Sequence, residues 1–326
     1  MRFIICFLLV LLHGRVGLAN PDFWVHEWPD TDFSKTEVPF VEILSGGQGK
    51  DGIPALSHPR FIPIDRADIP MIEPVISVQI GDAVRAYPVR YLIWHELVND
   101  QIEGVPVLIS FCPLCNSAQV FDRRLNGVVH SFGVTGKLRH SDMVMYDIET
   151  QSWWQQAIGL AIVGDMVGAD LLSIPSQMES LADFAARNPA GQVMEQPAFR
   201  RAYGRNPYVG YDTSIRPFLF NGDMPPHGIA PLSRVIRVGQ RAWPMARLQG
   251  QGVIREAGVT IEKIGLQASA LDAGVIASAA TVPTVRVTSD DGANVVYDVM
   301  FAFAFHAFFP QGVWMIEPPT CCDVAK

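Results

Sequence analysis

Two cysteines separated by two residues are the most chemically suggestive feature of this sequence. Cys112 and Cys115 enclose Pro113 and Leu114, directly after an apolar run that ends at Phe111. With two intervening residues, both sulfur atoms can turn toward one point, which is what a metal ion bound by two thiolates requires. The same spacing permits a strained, exchange-prone disulfide or an inert structural one. It therefore indicates a metal site, a redox pair or a structural bond.

A metal ion held by two thiolates needs further ligands, and two histidines are the best candidates. His95 lies on a predicted helix just before the strand that leads to Cys112, and His140 precedes Ser141 and Asp142. Soft thiolate ligands favour copper(I) or zinc. A helix histidine that hydrogen-bonds to backbone is the competing interpretation of His95. The predicted metal ligands are Cys112, Cys115, His95 and His140.

Several other residues are candidates for the same site without an assigned role. Glu96 and Asp142 could exchange protons, and Asn99 shares a face of the predicted helix with His95. Two further cysteines in the C-terminal tail could close over the loop as a disulfide or carry metal. The additional candidates are Glu96, Asn99, Asp142, Cys321 and Cys322. No pattern identifies a catalytic residue, so the sequence leaves open whether the chain is an enzyme.

The N-terminus has the features of a secretory signal. Arg2 precedes an uninterrupted apolar run over residues 3–12, and Gly17-Leu18-Ala19 places small residues at the cleavage positions. The run has about ten residues, whereas a membrane span needs roughly twenty. We therefore predict cleavage after Ala19, export to the periplasm or the extracellular space, and a mature chain without a transmembrane span.

Cleavage would change both the cysteine count and the charge. Of five cysteines, Cys6 lies in the signal, which leaves an even number in an oxidising compartment and permits two disulfides. Arg2 and Arg15 leave with the signal, so 23 of 25 basic residues remain against 33 acidic ones, a net charge near −10. Without a basic cluster, a nucleic-acid partner is not expected. A small molecule or another protein remains the open class of partner.

Short apolar runs separated by turn residues predict an α+β protein dominated by strands, with few short helices. The clearest helices are expected over residues 89–98 and 177–187. A weak internal similarity pairs Arg85-Ala86-Tyr87-Pro88 with Arg241-Ala242-Trp243-Pro244, and it pairs Phe184, Pro189, Gly191 and Met194 with Phe305, Pro310, Gly312 and Met315 at identical spacing. This similarity predicts two related β-rich halves, a degenerate internal repeat. In this alignment Ile264 and Gln267 occupy the positions equivalent to Cys112 and Cys115, so the fold itself would not require thiols there.

These features divide the chain into six predicted segments. They are a signal peptide (1–19), an extended Pro/Gly-rich wrapping segment (20–74), a first β-rich repeat with the cysteine loop (75–200), a linker (201–230), a second, shortened repeat (231–316) and a tail (317–326).

Several motifs, taken in order, resemble one known family. They are Asp51-Gly52-Ile53-Pro54-Ala55-Leu56, Arg85-Ala86-Tyr87-Pro88, His95-Glu96-Leu97-Val98-Asn99-Asp100, Phe111-Cys112-Pro113-Leu114-Cys115, Ser117-Ala118, Phe121-Asp122-Arg123, Phe132-Gly133-Val134-Thr135-Gly136 and Met145-Tyr146-Asp147. Over residues 50–315 the chain is similar to exported bacterial proteins grouped as domain of unknown function 3179. The resemblance implies an extracytoplasmic location and highlights His95, Glu96, Cys112 and Cys115, but it implies no activity.

The leading hypothesis is an exported metal-binding protein that uses the cysteine loop to hold copper or zinc. A thiol–disulfide redox protein using the same two cysteines is the main alternative. The third is a non-catalytic binding module in which the loop is a disulfide clamp.

Overall fold

The computed structural model describes residues 21–316, which form many short strands and five short helices. The helices are α1 (Pro21–Trp24), α2 (Val89–His95), α3 (Leu181–Arg187), α4 (Ala246–Gln251) and α5 (Ala302–Phe308). The strands in the first half are β1 (Ile43–Ser45), β2 (Leu56–Ser57), β3 (Phe61–Pro63), β4 (Pro74–Ile80), β5 (Ala83–Pro88), β6 (Leu97–Ile102), β7 (Val105–Cys112), β8 (Ser117–Asp122), β9 (Arg124–Leu125), β10 (Val128–Val129), β11 (Phe132–Arg139), β12 (Asp142–Asp147), β13 (Trp153–Gln155) and β14 (Leu160–Val163).

The remaining strands lie between Ser176 and Trp314. They are β15 (Ser176–Ser180), β16 (Gln192–Met194), β17 (Arg234–Val238), β18 (Arg241–Pro244), β19 (Val253–Glu256), β20 (Val259–Ala268), β21 (Thr281–Ser289), β22 (Asp298–Phe301) and β23 (Val313–Trp314). Among the helices of residues 21–316, none is long and apolar enough to cross a bilayer.

The strands form five sheets and one isolated hairpin, arranged as a five-bladed β-propeller. In strand order, the sheets are β1-β11-β12-β13-β14, β2-β6-β7-β8, β15-β4-β5-β16-β3, β22-β17-β18-β23 and β19-β20-β21, and the hairpin is β9-β10. Strand dominance and the short helices agree with the prediction. The arrangement does not, because the chain forms five blades rather than two related halves.

The predicted two-half architecture was wrong because a local packing similarity was extended to the whole chain. Gly191 and Gly312 each lie beneath a phenylalanine ring, Phe184 and Phe305 respectively, where a Cβ atom would collide with the ring. In each case a strand follows and pairs in parallel with its neighbour, β16 with β5 and β23 with β18. These are features of two sheets among five, and they do not define halves of the molecule.

Both predicted helices are shorter than their apolar patterns indicated. The first ends at His95, because Glu96 has a φ of 60° and the chain turns into β6. The second begins at Leu181, where the Ser180 side chain accepts a hydrogen bond from the Asp183 N–H, and the preceding residues form β15. Helix caps thus decided boundaries that hydrophobic periodicity did not locate.

The N-terminal residues add short edge strands to three different sheets. Strands β1, β2 and β3 pair with β11, β6 and β16, respectively. Trp24 and Trp28 also pack against Trp153, with ring centroids 5.2 Å and 5.3 Å away. Burial of such large aromatic side chains is strongly favourable, so this segment is an integral part of the fold.

Candidate metal site and adjoining cavity

The two cysteines lie at a tight turn between paired strands, a unit we call the cysteine hairpin (residues 105–122). Cys112 is the last residue of β7 and pairs with Ser117, the first residue of β8. A four-residue turn joins them, closed by a 3.2 Å hydrogen bond from the Asn116 N–H to the Pro113 carbonyl. Cys112 and Cys115 are buried free thiols, so the structure contains no disulfide at this loop.

A buried aspartate from a distant strand holds the cysteine hairpin in place. Asp298 accepts hydrogen bonds from the Ser117 hydroxyl (2.6 Å), the Ala118 N–H (3.1 Å) and the Gln119 side-chain amide (3.0 Å). The Cys115 carbonyl accepts a 2.8 Å hydrogen bond from the Phe301 N–H. The thiols are therefore positioned by contacts between two sheets as well as by their own turn.

A second hairpin turn brings a carboxylate to the thiols. Arg139 pairs with Asp142 across β11 and β12, which leaves His140 and Ser141 as a two-residue turn with φ of 49° and 65°. Such turns normally use Asn or Gly, because positive φ is unfavourable for other residues. Backbone strain of this kind is often found at functional sites. The turn directs the Ser141 carbonyl at the thiols, 3.5 Å from the Cys115 sulfur.

Cys112, Cys115 and Asp142 form one compact group of ligand atoms. The two sulfur atoms and a carboxylate oxygen lie within 4.8 Å of one another, and all three residues are buried. Asp142 Oδ2 accepts hydrogen bonds from the Gln155 amide at 2.6 Å and the Ala157 N–H at 3.0 Å. Its other oxygen, Oδ1, is buried without a hydrogen-bond partner. Since such an atom carries a desolvation penalty, this group has an unused acceptor beside two thiols.

Burial governs the protonation of this group. It raises the pKa of both thiols, and the charge of Asp142 raises them further. It also raises the pKa of Asp142 to about 6, although the Ala157 N–H and Gln155 hydrogen bonds oppose the shift. Burial therefore disfavours the anionic form of all three groups. A bound cation would offset this effect, because it favours the deprotonated form of every ligand.

Glu96 is a buried acid with no hydrogen-bond partner for its carboxyl group among the described residues. It is 7% exposed. Burial, reinforced by the charge of Asp142, raises its pKa to about 8. Its backbone has a φ of 60° and a ψ of −37° at the end of α2. A non-glycine residue in this conformation and an unpaired buried carboxyl are both unfavourable, which marks Glu96 as a functional candidate.

A cavity of about 560 Å³, the Glu96 cavity, lies beside the cysteine–aspartate group. Glu96 lines it together with Leu114, from between the two cysteines, and Met143, which follows Asp142. Tyr208 and Tyr211 also line the cavity. These tyrosines come from the segment predicted to be a linker, and neither a local motif nor periodicity indicated their role. Asp298 was missed for the same reason.

The two histidines predicted as ligands lie elsewhere. The His95 ring nitrogens are 2.8 Å from the Pro54 carbonyl and 2.7 Å from the Tyr203 hydroxyl. The His140 nitrogens are 3.1 Å from Asn221 Oδ1 and 3.2 Å from Glu42 Oε2. The close group around the sulfurs includes neither histidine. Burial lowers the pKa of both rings, so they are neutral hydrogen-bonding groups near neutral pH.

The other candidates have different positions. The Asn99 side chain forms two 2.8 Å hydrogen bonds with the Phe132 backbone, which joins β6 to β11 away from the thiols. Cys321, Cys322 and the predicted signal peptide lie outside the described residues.

A second cluster of potential ligands is already occupied by hydrogen bonds. His130, Asp147 and Glu149 lie close together, but Asp147 accepts bonds from His130, from the Thr150 N–H and hydroxyl, and from the Trp154 indole. Glu149 accepts a hydrogen bond from the Ser131 N–H. These contacts satisfy the acceptors of Asp147, so the cluster has no counterpart of the unpartnered Asp142 oxygen.

Comparison with known families agrees with the resemblance inferred from the motifs. The family model described as "Protein of unknown function (DUF3179)" matches residues 50–312. The chain belongs to this family. The matched region contains the cysteine hairpin, Asp142 and Asp298. It also contains the cavity-lining residues named above, which are Glu96, Leu114, Met143, Tyr208 and Tyr211. No curated protein and no solved structure shows a significant match to this DUF3179 chain.

Proposed function

We propose that this chain is an exported metal-binding protein whose ligands are the thiolates of Cys112 and Cys115 and the carboxylate of Asp142. The observation that carries the proposal is the unpartnered Asp142 Oδ1 in a buried group that also contains both sulfurs. Two thiolates and a carboxylate are a suitable ligand set for zinc. Copper(I) prefers softer ligands, so zinc fits this set better than copper does.

Three protein ligands would leave one coordination position for water or another ligand. Structural zinc sites normally use four protein ligands, whereas sites with three keep a position open. The Glu96 cavity lies against this group, so an exchangeable fourth ligand has space nearby. This arrangement supports a site that binds a ligand at the metal more than it supports a purely structural one.

The burial of the thiols favours metal binding over the redox alternative. Cys112 and Cys115 are 1% and 0% exposed, and burial raises the pKa of both. Thiol–disulfide exchange requires an accessible thiolate, which is promoted by a lowered pKa. A buried protonated pair therefore exchanges slowly, while a metal ion can still displace its protons.

Metal analysis of the purified protein tests the proposal. The full chain would be exported, purified under reducing conditions without chelator, and analysed for zinc and copper by mass spectrometry. We expect about one ion per chain in the wild type and a loss of at least tenfold in affinity for Cys112→Ser and Asp142→Asn, because each removes a ligand. Cobalt(II) substitution should produce thiolate-to-metal charge-transfer bands that are absent from Cys112→Ser.

Two control variants separate this site from other sources of metal. His130→Gln alters the second cluster, and Cys321→Ser/Cys322→Ser removes the tail thiols. Both should retain the ion. Equal metal content in the wild type and in folded Cys112→Ser, as judged by circular dichroism, would refute the proposal, and loss of metal from the tail variant would mean that its ligand set is incomplete.

Export can be tested independently of the metal. Expression of the full chain in a Gram-negative host, followed by fractionation and N-terminal mass analysis, should yield a periplasmic or secreted product beginning at Asn20. Arg2→Glu combined with an acidic residue in the apolar run, as in Leu9→Asp, should leave the precursor uncleaved. An uncleaved wild-type chain retained in the cytoplasm would refute export.

A further inference from the structure

We infer that the Glu96 cavity is a binding site for a small organic anion with an apolar body, held at one end by Arg201 and at the other by the Glu96 carboxyl. The inference concerns a ligand site separate from the metal ligands, and it does not require the metal.

The walls of the cavity are suited to an apolar body. Ile93, Trp94, Leu114 and Phe218 contribute aliphatic and aromatic surface. The volume of about 560 Å³ is within the range of small-molecule sites, which combine apolar walls with a few polar groups. Val209 and Phe218 line the cavity and also present apolar side chains to solvent, being 64% and 50% exposed, so they lie at its mouth. Solvent-facing apolar surface at the mouth of a cavity is typical of ligand-binding grooves.

Two polar groups of the cavity have unused binding capacity. Glu96 is buried and lines the cavity, yet its carboxyl has no hydrogen-bond partner among the described residues. A protonated carboxyl there can donate one hydrogen bond to a carbonyl or sulfonyl oxygen. Arg201 also lines the cavity and forms no ion pair in residues 21–316, since its guanidinium donates only to the Arg200 carbonyl at 3.5 Å.

The other cationic side chain that lines the cavity already has an ion-pair partner, so Arg201 is the residue that would select an anionic ligand. Lys137 is buried and forms a 2.9 Å ion pair with Glu27. An anionic ligand would therefore pair with Arg201 rather than Lys137, because arginine binds carboxylate and sulfonate groups with two parallel N–H donors. Glu96 and Arg201 thus specify a ligand with an acceptor and an anionic group separated by an apolar part.

Two fluorescent probes that differ by a carboxymethyl group test this inference. Dansylglycine has an aromatic body, a sulfonyl acceptor and a carboxylate, while dansylamide lacks the carboxylate. With the full chain in chelator, we expect saturable one-to-one binding of dansylglycine and weaker binding of dansylamide. Arg201→Gln should weaken dansylglycine roughly three- to tenfold and leave dansylamide unchanged, since one exposed charge-assisted contact is lost.

Three further variants complete the experiment. Arg216→Gln, an exposed arginine of the same segment that does not line the cavity, should change neither probe. Val209→Trp should block both probes by filling the mouth, and Glu96→Leu should weaken both by removing the hydrogen-bond donor. Arg201, Arg216 and Val209 are exposed, so Arg201→Gln, Arg216→Gln and Val209→Trp should fold. Absence of saturable binding, or binding unaffected by Arg201→Gln and Val209→Trp, would overturn the inference without affecting the metal proposal.

Discussion

Glu96 and Gly252 have nearly the same backbone conformation at the ends of two short helices. Glu96 follows α2 with φ 60° and ψ −37°, and Gly252 follows α4 with φ 69° and ψ −37°. Glycine is the expected residue at such a position because it has no Cβ atom. A glutamate there lowers stability, as expected when a side chain is needed for its carboxyl group rather than for the fold.

Replacing Glu96 by glycine should therefore stabilise the protein. Glu96→Gly relieves an unfavourable φ and removes an unpaired buried carboxyl, so we expect a gain of about 1–2 kcal/mol in the free energy of unfolding at pH 7. Gly252→Ala is the matched reverse change. Nothing lies within 4 Å of a Cβ atom there, so it should cost about 1 kcal/mol through backbone strain alone. Urea denaturation of both variants measures the difference, and a destabilised Glu96→Gly would contradict this explanation.

The protonation of Glu96 should make stability depend on pH. Burial raises its pKa in the folded chain to about 8 from an ordinary value of 4.5, so the folded state binds more protons than the unfolded state between these values. Stability from this group is complete below about pH 4.5 and declines as pH rises toward 8, by about 1.4 kcal/mol per pH unit.

Glu96→Gln isolates this effect because glutamine does not titrate. In chelator, the stability difference between Glu96→Gln and the wild type should grow in favour of the variant from pH 5 to pH 8. Glu103→Gln, which makes the same chemical change at an exposed carboxyl, is the matched control. A pH-independent difference for Glu96→Gln would show that Glu96 ionises normally.

Metal binding should strengthen as pH rises. The pKa values of Cys112, Cys115 and Asp142 are all raised, chiefly by burial, and the ion must displace any protons that these groups hold. Zinc competition titrations should therefore show tighter binding at pH 8 than at pH 6, by more than tenfold if one or more protons are released. Asp142→Asn should bind weakly at both values, and a wild-type affinity independent of pH would contradict thiolate ligation.

The Asp298 contacts should be essential for the geometry of the cysteine hairpin. Asp298→Ala leaves the Ser117 hydroxyl, the Ala118 N–H and the Gln119 amide without their acceptor, so we expect a loss of roughly 3–5 kcal/mol in unfolding free energy together with weaker metal binding. Asp291→Ala serves as control, since Asp291 bonds only to its own turn and is exposed. It should change stability by less than about 0.5 kcal/mol. Unchanged metal affinity in Asp298→Ala would show that the hairpin positions its thiols alone.

Local sequence patterns were sufficient to predict the cysteine hairpin. The apolar run before Cys112, the two-residue spacing to Cys115 and the following strand all depend on neighbouring residues, and the structure has them as expected. Strand dominance and family membership were likewise correct. The boundaries of α2 were not, because a glutamate in a glycine conformation gives no warning in the sequence.

Tertiary structure decided which of the candidate residues lie beside the two cysteines. The sequence pointed to His95 and His140 as ligands, but the fold turns both rings toward other partners and places Asp142 beside the sulfurs. The carboxylate that hydrogen-bonds to the Ser117 hydroxyl belongs to Asp298, 181 residues away. Part of the cavity lining comes from the segment predicted to be a linker. Periodicity reports which face of a strand is buried, but it carries no information about which sheet packs against it. The number of blades and the position of Asp142 beside the two thiols therefore became evident only in three dimensions.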